Sequence, residues 1–373
     1  MRGAAAVGRP VVVKVGSSSL TGSAGLDEGA VGAIVDQIAG LRGTGILVAL
    51  VTSGAVAAGL PALGMVERPS NIPDLQVAAA VGQGRLMETY TRLFAAHGLV
   101  AGQVLLTRDV LSNRDQYLHA KQALGRMLGL GVVPIVNEND TVVVDELRLG
   151  DNDRLAAIVS HLTGAGMLVI LTDTAGLFSG DPQLDDTAEL LDAVRSTDAA
   201  LEAISEGGAG PLGSGGVATK VAAARMAAWS GVPTVIASSR MTGVMAAAVA
   251  GDAVGTWVEP HASSLSARKL WIAFGMAARG TVAADRGAVR ALVVDGRSLL
   301  SVGVTAVIGD FTVGDAVEVL GPDGALIGKG RVAIGAVAVR AAMGRHSSDA
   351  GGVVIHRDDL VVLTGGTPPA ELR

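Results

Sequence analysis

Gly131-Val-Val-Pro-Ile-Val136 runs directly into Asn137-Glu-Asn-Asp-Thr-Val-Val-Val-Asp-Glu-Leu-Arg-Leu-Gly-Asp-Asn-Asp153. The first six residues are a continuous apolar run of the kind that is buried on both faces of a parallel sheet. Beyond the second stretch, Arg154-Leu-Ala-Ala-Ile-Val-Ser-His161 spaces its apolar residues as a helix does. Six carboxylates fall in the seventeen residues between, in a chain that is 49% hydrophobic and 17% charged. Two readings stand at this point. The segment is a solvated loop, or it reads a cation: a metal, an amine, or the lysines of a phosphate site.

The same alternation extends outward in both directions. Pro10 to Val15 reads as a buried strand that ends in Gly16-Ser-Ser-Ser19, before a helical segment from Leu26 to Leu41. Ile46 to Val51 is a second strand, ending in Thr52-Ser-Gly54. Pro69 to Asp74 reads as a loop, and Gln76 to Leu93 as a helix anchored by Val77, Val81, Leu86 and Leu93. Ala101 to Leu106 predicts a strand and Tyr117 to Leu128 a helix. Met167 to Leu171 is a strand ending in Thr172-Asp-Thr-Ala-Gly-Leu177. Val217 to Ser230 is an Ala-rich helix, and Pro233 to Ala237 a further strand. Strands with continuous apolar pattern, alternating with helices, predict an α/β fold with a mainly parallel sheet covered on both faces. Ligands of such sheets bind beyond the carboxyl ends of the strands, where these small polar turns fall.

At 373 residues the chain is long enough for two domains. The pattern changes near residue 260. Residues 261–277 read as a linker, and 278–362 as a small β-rich domain of short runs separated by turns. Within it, Asp323-Gly324 lies between Val317–Leu320 and Ala325–Ile327, a hairpin signal. Residues 363–373, with Pro368-Pro369, read as a tail. No apolar run reaches the roughly 18–20 residues of a membrane span. The N-terminus shows no secretory core. With no cysteine there are no disulfides or thiolate metal sites, which fits a cytoplasmic protein. The net charge of -6 argues against general affinity for nucleic acid or anionic lipid.

Two lysines carry the candidate chemistry. Lys14 ends the first strand, where an ammonium either snorkels or is aimed at a phosphate beside the amides of Gly16 and Ser17. Gly213-Ser-Gly-Gly-Val-Ala-Thr-Lys220 either is a flexible loop or presents amides and Lys220 to an anion. It is not a Walker A loop, because the lysine follows Thr219. The six histidines show no metal-ligand spacing, and Gly-x-Ser-x-Gly and a post-strand G-x-G-x-x-G are both missing.

Val13-Lys14-Val-Gly-Ser-Ser18, Val51-Thr-Ser-Gly-Ala-Val56, Val136-Asn-Glu-Asn-Asp140, Gly150-Asp-Asn-Asp153, Leu171 to Leu177 and Ser214 to Lys220 together resemble the amino acid kinase family. The blocks lie in order between about 11 and 240, and residues 278–362 resemble a PUA domain. The pair N-E-N-D and G-D-N-D resembles the branch that phosphorylates glutamate, rather than those acting on aspartate, acetylglutamate, carbamate or uridylate. The resemblance implies an αβα sandwich over 1–260 and transfer of the γ-phosphoryl of ATP, with Mg2+ bridging its phosphates, to the side-chain carboxylate of L-glutamate. That reaction opens proline biosynthesis. Lys14 and Lys220 would stabilise the transferring phosphoryl, and Asp153 would hold the two lysines. Ser53, Asp140 and Asn152 would bind glutamate. Lys14, Gly16, Ser17, Gly54, Thr172, Asp173, Ser214, Gly215, Gly216, Val217, Ala218, Thr219 and Lys220 would bind ATP, and no protein metal ligand is implied. Ser17 stands where other members often carry threonine, and the hydroxyl is kept. The resemblance also implies proline as feedback inhibitor, a homo-oligomer (dimer or tetramer) and hand-off of the product to glutamate-5-phosphate reductase. The alternatives are another member of the family or a PUA-containing RNA-binding regulator. Against the latter, residues 279–373 hold ten Lys+Arg and ten Asp+Glu, with Phe311 the one aromatic residue.

Overall fold

The computed structural model describes residues 2–22, 25–142, 152–180, 182, 185–195, 216–345 and 352–363. Asp145, Glu146, Ser214 and Gly215, and the tail beyond 363, lie outside the described residues. The chain divides into two compact units, Met1–Ser264 and Leu265–Arg373.

In the first unit the strands are β1 (Val11–Val15), the hairpin β2 (Thr21–Gly22) and β3 (Gly25–Leu26), β4 (Val48–Val51), β5 (Ala101–Leu106), β6 (Val133–Glu138), β7 (Met167–Thr172), β8 (Ala193–Arg195), β9 (Thr234–Ser238) and β10 (Thr256–Glu259). Eight of them form one sheet in the order β5-β6-β4-β1-β7-β9-β10-β8. All neighbours are parallel except β9 and β10. The short strands β8 and β10 fall in stretches without the continuous apolar signal, so neither is predicted from the sequence. β1 lies inside the sheet, and its valines are fully buried. Its register sets Lys14 beside Val51 of β4 and Ile170 of β7. The carboxyl ends of β1, β4, β6 and β7 therefore come level with one another.

The helices are α1 (Glu28–Gly43), α2 (Ala55–Gly59), α3 (Ile72–Ala96), α4 (Arg114–Gly129), α5 (Asp153–Thr163), α6 (Gly216–Trp229) and α7 (Val244–Ala250). Their starts are chemically marked. Asp27, Asn71 and Asn113 each accept a hydrogen bond from a first-turn amide of α1, α3 and α4. Pro73 falls in the first turn of α3, where its missing N–H costs nothing, so the last three residues of the segment expected as a loop, Ile72 to Asp74, already belong to the helix.

The buried face of α3 is only partly the expected one: Leu86 is fully buried and Leu93 packs against the core, but the two expected valines do not face inward. Val77 and Val81 are 49% and 36% exposed, while Leu75, Ala78, Ala79, Gly82, Leu86, Thr89, Tyr90 and Phe94 are buried. The reason is α2, which lies against α3 at backbone distance. A Cβ on Gly82 would stand 1.7 Å from the Ala55 carbonyl oxygen, and one on Gly59 would stand 2.0 Å from that of Ala78. Residues without bulk, not valines, make this contact.

The second unit has strands β11 (Ala278–Ala284), β12 (Leu299–Leu300), β13 (Val304–Ile308), β14 (Ala316–Leu320), β15 (Leu326–Val332) and β16 (Val353–Val362), in the order β12-β16-β15-β14-β11-β13. β14 and β15 are the expected antiparallel hairpin, and Gly324 takes the left-handed conformation at φ 80°. Val282, Leu299, Val319, Val339, Ile355 and Leu360 belong to the unit's own core. The segment expected as a linker is partly structured. It carries α8 (Ala267–Leu270) and a π-helical turn at Trp271–Gly275, with Leu270 and Ile272 fully buried. Lys329 Nζ donates to the Ala273 and Met276 carbonyls and so satisfies the end of that turn.

Candidate active site

Asp153 is the first residue of α5 and is fully buried. Lys14 Nζ lies 2.6 Å from its Oδ1, and Lys220 Nζ lies 3.7 Å from its Oδ2. Thr219 Oγ1 also donates to Oδ2, at 3.2 Å. A carboxylate at a helix N-terminus is favoured by the free amides there. Here it is placed to hold two ammonium groups that come from β1 and α6. Lys14 is 3% exposed, so it does not snorkel to solvent. Lys220 folds back along α6 and donates to the Gly216 carbonyl at 3.0 Å.

Gly16 and Gly216 each leave room beside one of these lysines. A Cβ on either glycine would lie 3.4 Å from the ammonium nitrogen of Lys14 or Lys220 respectively. Gly54 serves differently: it is the N-cap of α2, in the left-handed region at φ 100°. Ser17 opens a short 3-10 turn, Ser17–Ser19, and its carbonyl accepts from Thr21 Oγ1 at 2.9 Å.

A second cluster sits at the ends of β4 and β6. Asn152 Nδ2 donates to the Thr52 carbonyl (2.6 Å), to Asn137 Oδ1 (2.7 Å) and to Ser53 Oγ (3.2 Å). Asn137 Nδ2 in turn donates to Gln83 Oε1 at 2.8 Å. Thr52 Oγ1 shares a 2.8 Å hydrogen bond with the Tyr90 hydroxyl. Burial pushes the Tyr90 phenol above its ordinary range, with the Thr52 hydrogen bond opposing, so the group stays neutral. Ser53, Asn137 and Asn152 are each 5% exposed or less. The structure thus joins Ser53 and Asn152, two of the three expected glutamate contacts, by a direct hydrogen bond. The third, Asp140, is half-buried and stands two residues beyond the end of β6.

A cavity of about 330 Å³ opens beside Lys220, and Lys14, Gly16, Ser17 and Gly54, also expected to contact the nucleotide, are not among the residues that line it. Thr172, Asp173, Gly216, Val217 and Lys220, expected nucleotide contacts, line it together with Ser18, Thr174, Gly176, Leu177, Phe178, Gly180, Pro182 and Ile236. Ala218 and Thr219 stand on α6 beside it without lining it. Gly176 permits a tight approach: a Cβ there would meet Thr256 Oγ1 at 2.7 Å. That hydroxyl accepts from the Leu177 amide and donates to the Leu191 carbonyl. Thus β10, unread in the sequence, shapes one wall of the cavity.

The roles of Gln83, Tyr90 and Asn137 were likewise unread. A signal for the first two exists. Gln83 and Tyr90 are seven residues apart, hence on one face of α3, where Ala79, Leu86 and Phe94 are buried.

A model of the amino acid kinase family matches residues 9–238, and one of the PUA domain matches residues 280–353. The chain belongs to the amino acid kinase family. Among the relatives of this amino acid kinase is the glutamate 5-kinase of Marinomonas sp. (strain MWYL1), 46% identical over 97% of this chain and 100% of that protein. The glutamate 5-kinase of Chromohalobacter salexigens is 49% identical over 95% of this chain and 96% of that one. Among solved structures, the UMP kinase of Bacillus anthracis aligns with 69% of this kinase and 98% of that chain, at 14% identity and TM-score 0.48. The family is one of phosphotransferases, so the chain is a kinase and uses ATP.

Proposed function

We propose that the chain transfers the γ-phosphoryl group of ATP to the side-chain carboxylate of L-glutamate, forming L-glutamate 5-phosphate and ADP in the first step of proline biosynthesis. The observation that carries this reading is the convergence of Lys14 and Lys220 on one buried aspartate, with Lys220 also lining a cavity of about 330 Å³ beside Thr172 and Asp173. The names of the relatives point to the acceptor.

The chemistry asks little of general bases. A glutamate side chain ionises near pH 4.3, so its oxygen is a nucleophile at neutral pH without help. A carboxylate oxygen bonds to the γ-phosphorus as the bond to the β-γ bridging oxygen breaks, and ADP leaves. The obstacle is repulsion between two anions, and catalysis is positioning plus charge neutralisation. Lys14, Lys220 and Asp153 together carry one net positive charge in a site that excludes water at Asp153. Lys14 and Lys220 stabilise the charge on the moving phosphoryl, and Asp153 keeps them from separating. Amides at Gly16, Gly54 and Gly216 add neutral donors.

Ser53, Asn152 and Asp140 hold glutamate, Asp140 pairing with its ammonium. Thr172, Asp173 and the start of α6 hold the nucleotide. Mg2+ bound with the ATP substrate would supply further neutralisation of phosphate charge. Asp153 is a poor ligand for it, since both of its oxygens face lysines. The same reading takes the protein to be cytoplasmic and a homo-oligomer, with proline competing at the glutamate site and the acyl phosphate passing to a reductase.

An ADP-release assay run in parallel with glutamate, acetylglutamate, aspartate and UMP tests the assignment. ADP formation that depends on glutamate alone supports it, and selective turnover of another acceptor overturns it.

A further inference from the structure

We infer that Gln83 is a positioning residue for the amino-acid end of the substrate: it accepts the remaining donor of Asn137 and so braces the orientation, imposed by backbone groups, in which Asn152 and Ser53 face the substrate. The inference rests on the glutamate reading above.

An asparagine side chain has an acceptor end and a donor end, and the partners decide which way each one faces. Here backbone groups anchor the choice at both ends of a relay. The Glu138 amide can only donate, and it donates to Asn137 at 2.9 Å, so the atom it meets is Oδ1. The Thr52 carbonyl can only accept, and it accepts from Asn152 at 2.6 Å, so the atom it meets is Nδ2. Asn137 Oδ1 then takes a second hydrogen bond, from Asn152 Nδ2 at 2.7 Å. Its own Nδ2 must find an acceptor, and among the described residues that acceptor is Gln83 Oε1 at 2.8 Å.

The consequence falls on the two substrate contacts. Asn152 spends its two amide hydrogens on Thr52 and Asn137, the longer contact to Ser53 sharing one of them, and among the described residues nothing donates to its Oδ1. What it has left to offer is an acceptor, the complement of an ammonium group. Ser53 Oγ accepts from Asn152, and among the described residues its hydroxyl hydrogen has no acceptor, the complement of a carboxylate. An α-amino acid carries both groups on one carbon. Gln83 is well placed to brace this polarity, because its neighbour Gly82 is locked against the Ala55 carbonyl at the start of α2, close in sequence to Ser53.

The test compares Gln83→Leu, which removes the acceptor, with Gln83→Glu, which keeps one. Steady-state kinetics are run with glutamate and with glutarate, which lacks the ammonium, each variant first being checked for folding by circular dichroism. Loss of one neutral hydrogen bond is worth about tenfold. In Gln83→Leu the KM for glutamate is expected to rise about tenfold and the KM for ATP less than about twofold. Preference for glutamate over glutarate should shrink, and Gln83→Glu should recover most of the glutamate affinity. The inference is overturned if Gln83→Leu leaves the glutamate KM unchanged, if both KM values rise together, or if Gln83→Glu is as impaired as Gln83→Leu. Should Gln83→Leu not fold, Gln83→Glu decides alone: a glutamate KM near wild type supports the inference and a rise of about tenfold overturns it. Wild-type turnover of glutamate in the same assay tests the underlying reading separately.

Discussion

Asp153 has two jobs that mutation separates from those of the lysines it holds. Removing one partner of a buried ion pair leaves the other charged and unsolvated, at a cost of about 3–5 kcal/mol. Asp153→Ala should therefore lower stability by about that amount, measured by urea unfolding. Lys220 is partly exposed, so Lys220→Ala should leave the unfolding midpoint nearly unchanged. Its kcat should still fall by about 10²–10³-fold, as for loss of one preorganised charge-stabilising group. Undiminished turnover would remove Lys220 from the mechanism. A different residue governs pH. His161, in the last turn of α5, has its pKa lowered below the ordinary 6.5, first by burial and then by the Lys121 charge. The unfolded chain then binds the extra proton more readily than the folded one, so stability is full above pH 6.5 and declines as pH falls through and below that value. His161→Asn should flatten that part of the stability–pH curve, and an unchanged slope would assign it to other groups.

At the scale of elements, the contact between α2 and α3 places the Ser53-Gly54 turn, which is proposed to meet the substrate. Gly59 and Gly82 let the two backbones touch, and Ser53-Gly54 leads into α2 from that contact. Gly82→Ala would drive a methyl group into the Ala55 carbonyl, and such overpacking costs about 1–3 kcal/mol or more. Melting temperature should fall, and the glutamate KM should rise because α2 must shift. Gly84 lies two residues on in the same helix, and a Cβ there would meet nothing within 4 Å. Gly84→Ala should stabilise by about 0.5–1 kcal/mol through helix propensity. If the two variants behave alike in calorimetry, the close contact does not govern the position of α2.

For the whole molecule, each unit closes a core of its own. Val13, Leu50, Ile135 and Val169 belong to the first, and Val282, Val319 and Ile355 to the second. Lys14, Asp153, Lys220, Ser53 and Asn152 all belong to Met1–Ser264. Residues 1–264 expressed alone should therefore unfold cooperatively and retain ATP turnover with glutamate. A soluble, folded fragment without turnover would give the second unit a part in catalysis. Among the described residues, no helix is long and apolar enough to cross a membrane.

Fold class was legible because buried parallel strands need unbroken apolar runs. β1, β4, β6, β7 and β9 satisfy that need within their own few residues. The charged ends of the site, Lys14, Asp153 and Lys220, were legible as family motifs, since an ionic group in so apolar a chain demands a purpose. Three features were decided by tertiary structure. β8 and β10 are short and bounded by polar turns, so pairing with a neighbour, not composition, makes them strands. The buried face of α3 follows from glycines whose value lies in what they allow α2 to approach. The relay from Gln83 through Asn137 to Asn152 joins residues 83, 137 and 152, whose amides have no preferred polarity until backbone groups at the ends of β4 and β6 impose one. Sequence thus determined which segments are buried and where charge must be answered. Only the folded chain could decide which way a neutral amide faces, because its two ends differ by the partner each one meets.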